Sequence, residues 1–104
     1  MNEKGAFNVI KYDGQKLRFD LVDAESLQEI VKALTYGAEK YNDTNYKTLV
    51  NPLARYFAAS QRHLWQWKAG EQKDKESGLN HLSHACVNLL FLMEHERLKD
   101  SKES

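Results

Sequence analysis

The chain has one cysteine and one proline in 104 residues, and its 15 basic side chains are balanced by 15 acidic ones. A lone thiol, Cys86, cannot form a disulfide within the chain. A thiol embedded in an apolar run is also a poor nucleophile, so a reducing, cytoplasmic setting is expected. The zero formal charge excludes the long-range field of a protein that coats nucleic acid, while leaving room for a local cation cluster that binds phosphates. No apolar run approaches the ~20 residues that span a bilayer, and no charged-then-apolar leader opens the sequence. A Gly-rich phosphate loop, a GxSxG elbow, an HExxH zinc helix and an adjacent His-Asp pair are all missing. What remains is a soluble single domain over 1–104, near the size at which one core becomes stable.

What is present is mostly helical patterning. Leu27, Ile30, Val31, Leu34, Ala38 and Tyr41 recur at helical spacing after Asp23, a good N-cap with Glu25 in the first turn. Asn51-Pro52 announces a second helix that Gly70 should stop. The polar turn GEQKDKES precedes a third helix, rich in Leu, Val and Phe, and KDSKES reads as a frayed tail over 99–104. The expected helices are 24–41, 51–69 and 78–98. Ahead of them, residues 1–22 read as an arm. Leu17, Phe19 and Leu21 alternate with Arg18 and Asp20, and Asp13-Gly14 is a tight-turn signal, so an extended arm or hairpin is expected. The third helix is apolar nearly all round, which suits the middle of a bundle. Three helices are too few to cover it, so a homodimer or higher homo-oligomer is expected to complete the core.

That third helix also holds His81, His84, Asn88 and His95, and on a wheel of about 100° per residue these fall within a sector of about 60°. Uncompensated polar groups in a core cost about 1–3 kcal/mol each, so a stripe of them asks for a reason. A solvated or hydrogen-bonded helix face is the ordinary one. Glu71, Asp74 and Glu76, crowded just before the helix, favour another. Acids and histidines that converge can hold a divalent cation, and oxygen-rich sites suit Mg²⁺ or Mn²⁺. On the second helix, Arg62-His63 sits among Tyr56, Phe57, Trp65 and Trp67, where a guanidinium can bind a phosphate bidentately. In the arm, Lys11, Asp13, Lys16, Arg18 and Asp20 form either an exposed hairpin face or a cationic lid.

The segments KYDGQKLRFDL, YGAEKYNDTNY and RHLWQWKAGEQKDKESGLNHLSHACVNLLFL, in that order, resemble the phage and bacterial dATP/dGTP diphosphohydrolase family, relatives of the MazG-like all-α pyrophosphohydrolases. The likeness runs from about Lys11 to Glu94 and is most specific over 62–92. It implies hydrolysis of a purine deoxynucleoside triphosphate to monophosphate and pyrophosphate with Mg²⁺ or Mn²⁺, in a bacterium or a phage-infected one. The chain departs from the family at Asn45-Tyr46, where Asn-Trp is usual, and lacks a literal ExxE…ExxD metal pattern.

Glu71, Asp74, Glu76, His81 and His84 match the family's polar positions, and the chemistry of attack on a polyphosphate makes them the expected catalytic residues. Of these, Glu71, Asp74, Glu76 and His84 are the expected metal ligands. Lys11, Lys16, Arg18, Arg62, His63 and Asn88 are expected to bind substrate. The expected architecture is all-α: three main helices, an N-terminal arm, and a bundle completed by oligomerisation. Its partners are a purine deoxynucleotide and a second copy of itself, with no membrane and no nucleic-acid polymer. The rival readings are a non-catalytic helical module that binds a nucleotide or a protein, and a hydrolase of another signalling nucleotide.

Overall fold

The computed structural model describes residues 16–40 and 51–103, and it is helical as the periodicity demands. Helix α1 is Ala24–Lys40, α2 is Pro52–Lys68 and α3 is His81–Glu103. Among the described residues α3 packs against both α1 and α2, with the larger contact on α2. The third helix is therefore the central one, as its composition required.

Each helix start has a local cause. Asp23 Oδ2 accepts the Ser26 backbone N–H at 2.9 Å and the Ser26 hydroxyl at 2.8 Å, which satisfies a donor that the helix leaves orphaned. These two bonds also hold the Asp23 carboxyl below the usual carboxylate range. The start of α2 works differently from expectation. Asn51 makes no side-chain cap bond; it sits at φ 54°, ψ 60°, and its contribution is a left-handed turn that asparagine tolerates. Pro52 then supplies a first helical residue with φ already set.

The end of α2 places the first acid of the site. Gly70, at φ +110°, donates to the Trp67 carbonyl at 3.0 Å, and Glu71 N–H reaches back to the Gln66 carbonyl at 3.0 Å. This is the paired helix stop in which a glycine at positive φ lets its own amide and the next one close on the last turn. Glu71 thus leaves α2 in a fixed direction.

The third helix starts at His81, three residues later than expected, because the preceding segment builds a turn of its own. Asp74 N–H donates to the Leu79 carbonyl and Gly78 N–H to the Asp74 carbonyl, both at 2.8 Å, and His81 N–H donates to the Gln72 carbonyl at 2.9 Å. Gly78, at φ +76°, makes the reversal. Asn80 Oδ1 then caps the helix by accepting Leu82 N–H at 2.8 Å. At the other end α3 continues to Glu103, beyond the expected stop at 98.

The alternation Leu17–Leu21 does not make a strand. Phe19–Leu21 forms one 3₁₀ turn, and Arg18 bridges Asp20 through Nε (2.8 Å) and a second nitrogen (2.9 Å). Leu17, Phe19 and Leu21 are all exposed, so the alternation has no buried face to direct it. The Asp13-Gly14 turn lies outside the described residues, as does Lys11.

Among the described residues the buried ones are small or polar: Ala33, Ser60, Ser83, Ala85, Val87 and His81. Small side chains at helix crossings bring the backbones close, and Ser60 satisfies its hydroxyl on the Phe57 carbonyl at 2.9 Å. Large apolar side chains, among them Leu27, Val31, Phe57, Leu89 and Met93, stay exposed on the helices.

Candidate functional site

Three elements converge on His81. The helix α2 brings Arg62 and His63, the 70–80 turn brings Glu71, Asp74 and Ser77, and the first turns of α3 bring His81, His84 and Asn88. His81 is completely buried, and both of its ring nitrogens are engaged. Nε2 lies 2.8 Å from Glu71 Oε1, and Nδ1 lies 2.8 Å from His63 Nδ1. A carboxylate only accepts, so His81 carries a proton on Nε2 towards Glu71. In the neutral ring this turns the Nδ1 lone pair towards His63.

His63 and His84 stack with centroids 4.7 Å apart and planes 15° from parallel, while Tyr36 on α1 meets His84 edge-on at 5.9 Å. His84 Nε2 lies 2.7 Å from Ser77 Oγ, which also accepts Leu79 N–H at 3.1 Å. Asn88 donates through its side-chain amide to the His84 carbonyl at 2.9 Å.

The electrostatics follow from this crowding. Burial, then the neighbouring His84 and His81, pushes His63 down to about 4. Burial also lowers His84, against the pull of Asp74 towards the charged form. Burial disfavours ionisation of Asp74, but the backbone and side-chain hydrogen bonds from Ser77, with His63 and His84 nearby, outweigh it and hold its carboxyl low. Asp74 Oδ2 accepts both Glu76 N–H (3.1 Å) and Ser77 N–H (2.9 Å), which fixes its direction. At neutral pH the ionised Asp74 carboxylate therefore lies beside the neutral imidazoles of His63 and His84.

The acids do not all face one point. Glu76 pairs with Lys40 Nζ at 3.0 Å and accepts a hydrogen bond from Tyr36; these contacts, Lys40 first, keep its carboxyl low. Glu71 turns to His81 and has Lys75 Nζ at 3.8 Å. Among the described residues, the group able to surround a cation is His63, Asp74 and His81, whose ligand atoms all lie within 4.8 Å of one another. Of the four expected ligands only Asp74 belongs to it. Arg62 is exposed on α2 beside His63, Lys16 is exposed, and Arg18 is turned to Asp20.

Helical spacing shows neither the partner of His63 nor the role of Ser77. The resemblance makes His63 an expected substrate-binding residue, and its approach to His81 from another helix leaves no trace in spacing. Ser77 was passed over as a turn residue. Its position three residues after an aspartate and before a glycine is a signal for side-chain turn bonds.

No helix among the described residues is long and apolar enough to cross a membrane. No solved structure matches the chain. A dATP/dGTP diphosphohydrolase of Salmonella phage PMBT28 is 31% identical over 83 residues, which cover 80% of this chain and 28% of that protein. The chain thus spans little more than a quarter of the length of this relative. The family described as dATP/dGTP diphosphohydrolase, N-terminal, matches residues 8–104. With nearly the whole chain matched, through both the helices and the histidine–carboxylate turn, the protein belongs to the dATP/dGTP diphosphohydrolase N-terminal family.

Proposed function

We propose that this chain, as one domain over 1–104, hydrolyses a purine deoxynucleoside triphosphate, dATP or dGTP, to the monophosphate and pyrophosphate with the help of a divalent cation. The observation that carries this reading is the meeting of Glu71, Asp74, His63, His81 and His84 in one place, from two helices and a pinned turn. The name of the phage relative supports the substrate class.

In the proposed reaction water attacks the α-phosphorus, the bond from that phosphorus to the bridging oxygen of the β-phosphate breaks, and pyrophosphate leaves. A divalent cation supplies charge neutralisation for the polyphosphate and for the departing pyrophosphate. His84, kept neutral by burial, would accept the proton that the attacking water loses. Ser77 fixes the plane of that ring through its 2.7 Å contact. Glu71 holds His81 in one tautomer, and the ionised Asp74 completes the polar wall. Arg62, exposed one position before His63, offers a bidentate hold on a phosphate, and Lys16 and Arg18 bring further positive charge from the preceding segment. Glu76 orients Lys40 and Tyr36 at the edge of the site.

The same proposal includes self-association, supported by the exposed apolar side chains on all three helices. The test of the activity is a product analysis. Incubating the chain with dGTP or dATP and Mg²⁺ or Mn²⁺ should release monophosphate and pyrophosphate in equal amounts. Nucleotide bound but left intact would favour a sensor, and release of inorganic phosphate would refute the bond assignment.

A further inference from the structure

We infer that His63 Nδ1, His81 Nδ1 and a carboxylate oxygen of Asp74 form a binding site for one divalent transition-metal ion of the Mn²⁺, Co²⁺ or Zn²⁺ class, in preference to Mg²⁺. This deepens the proposed function, and rests on it only for the statement that a divalent cation takes part.

Four observations carry the assignment. The donor atoms lie within 4.8 Å of one another, close enough to surround a single ion. The two Nδ1 atoms are 2.8 Å apart, and adjacent nitrogens around an ion bound at about 2.1 Å are separated by about 3.0 Å in octahedral and about 3.4 Å in tetrahedral geometry, so the rings need to part by a few tenths of an ångström and turn towards the ion. The other nitrogen of His81 is held by Glu71 at 2.8 Å. A carboxylate on the far side of a ligating imidazole is the usual way proteins fix the tautomer and direction of such a ring. Finally, each donor is immobilised by something else. His81 has no exposed surface, His63 is stacked on His84, and Asp74 is tied by two backbone amides.

The preference follows from the donors. Two imidazoles and one carboxylate suit Mn²⁺, Co²⁺ and Zn²⁺, whereas Mg²⁺ takes oxygen ligands and parts with water reluctantly. The acids that would make an oxygen-rich site are committed elsewhere, Glu71 to His81 and Glu76 to Lys40.

The experiment is direct metal binding to the chain after chelator treatment and dialysis. Co²⁺ is followed by its visible absorption and Mn²⁺ by electron paramagnetic resonance, with Mg²⁺ as competitor. One ion per chain is expected, with Mn²⁺ and Co²⁺ bound at least ten-fold more tightly than Mg²⁺. His63→Ala and Asp74→Asn should each weaken binding more than ten-fold, and Glu71→Gln by about ten-fold through loss of the support to His81. His95→Ala, whose ring contacts Tyr56 instead, should bind as the unaltered chain does. Far-UV circular dichroism accompanies each variant, and His63→Ala and Asp74→Asn stand in for each other if one fails to fold. Equal affinity for Mg²⁺ and Mn²⁺, or undiminished binding in the folded variants, would leave His81 a hydrogen-bonded core histidine and overturn the inference. Hydrolysis of dGTP by a chain that binds no ion at these three residues sinks this inference but not the proposed function. Ion binding at the three residues without hydrolysis does the reverse.

Discussion

His81 shows how a polar side chain in an apolar helix is made tolerable. Its desolvation is offset by Glu71 on one nitrogen and His63 on the other, and among the described residues no buried side-chain nitrogen or oxygen lacks a partner. The stripe His81–His84–Asn88 was legible from helical spacing alone. The identity of its partners was not, since Glu71 is fixed by a helix stop and His63 comes from another helix. The same crowding has a consequence in pH. The His63 ring sits at about 4 in the folded chain against about 6.5 when unfolded. As pH falls through that window the unfolded chain binds a proton that the folded one refuses, so stability must decline. Above it the group contributes no slope. The thermal midpoint should therefore drop between about pH 6.5 and 4, with a shallower drop in His63→Asn. His84 adds a slope of the same sign in both proteins, whereas Asp74, already held low, acts only at more acid pH. A midpoint flat across that range, or equally steep in the variant, would contradict the burial of His63.

At the scale of elements, the periodic segments and the glycine stop were readable because they rest on local rules. Asp23 and Gly70 act where such rules place them. The late start of α3 was not readable, because the Asp74–Leu79 and Gln72–His81 backbone bonds consume residues that propensity alone would assign to the helix. Leu17–Leu21 misled because alternation signifies a strand only when a face is buried, and these side chains are exposed. The central helix presents a different puzzle: Leu89 remains 46% exposed and Met93 60%, with Phe57 on α2 at 56%. Apolar surface of this extent on three helices is the expected mark of a contact between proteins. Sedimentation equilibrium at micromolar concentration should give a mass at least twice the 12.1 kDa of one chain, and Phe57→Glu with Leu89→Glu should return it to the monomer. A monomer in the unaltered chain would sink self-association and leave the histidine site intact.

For the whole molecule, the proposed function comes down to the way three elements meet. Each of α2, the 70–80 turn and α3 carries part of the polar cluster, and none of them carries enough of it alone. Asp74 lies where they join, and it suits a decisive test because its amide preserves much of the local structure. In Asp74→Asn the side-chain oxygen can still accept the Glu76 and Ser77 amides, while the negative charge beside His63 and His84 is gone. The measurement is pyrophosphate release from dGTP or dATP with a divalent cation, made on the unaltered chain and on Asp74→Asn, with the thermal midpoint of each. The account predicts turnover in the former, a fall of about 100-fold or more in the variant, and a retained folding transition. Full turnover in a folded Asp74→Asn protein would contradict it and place the chemistry away from the histidine cluster.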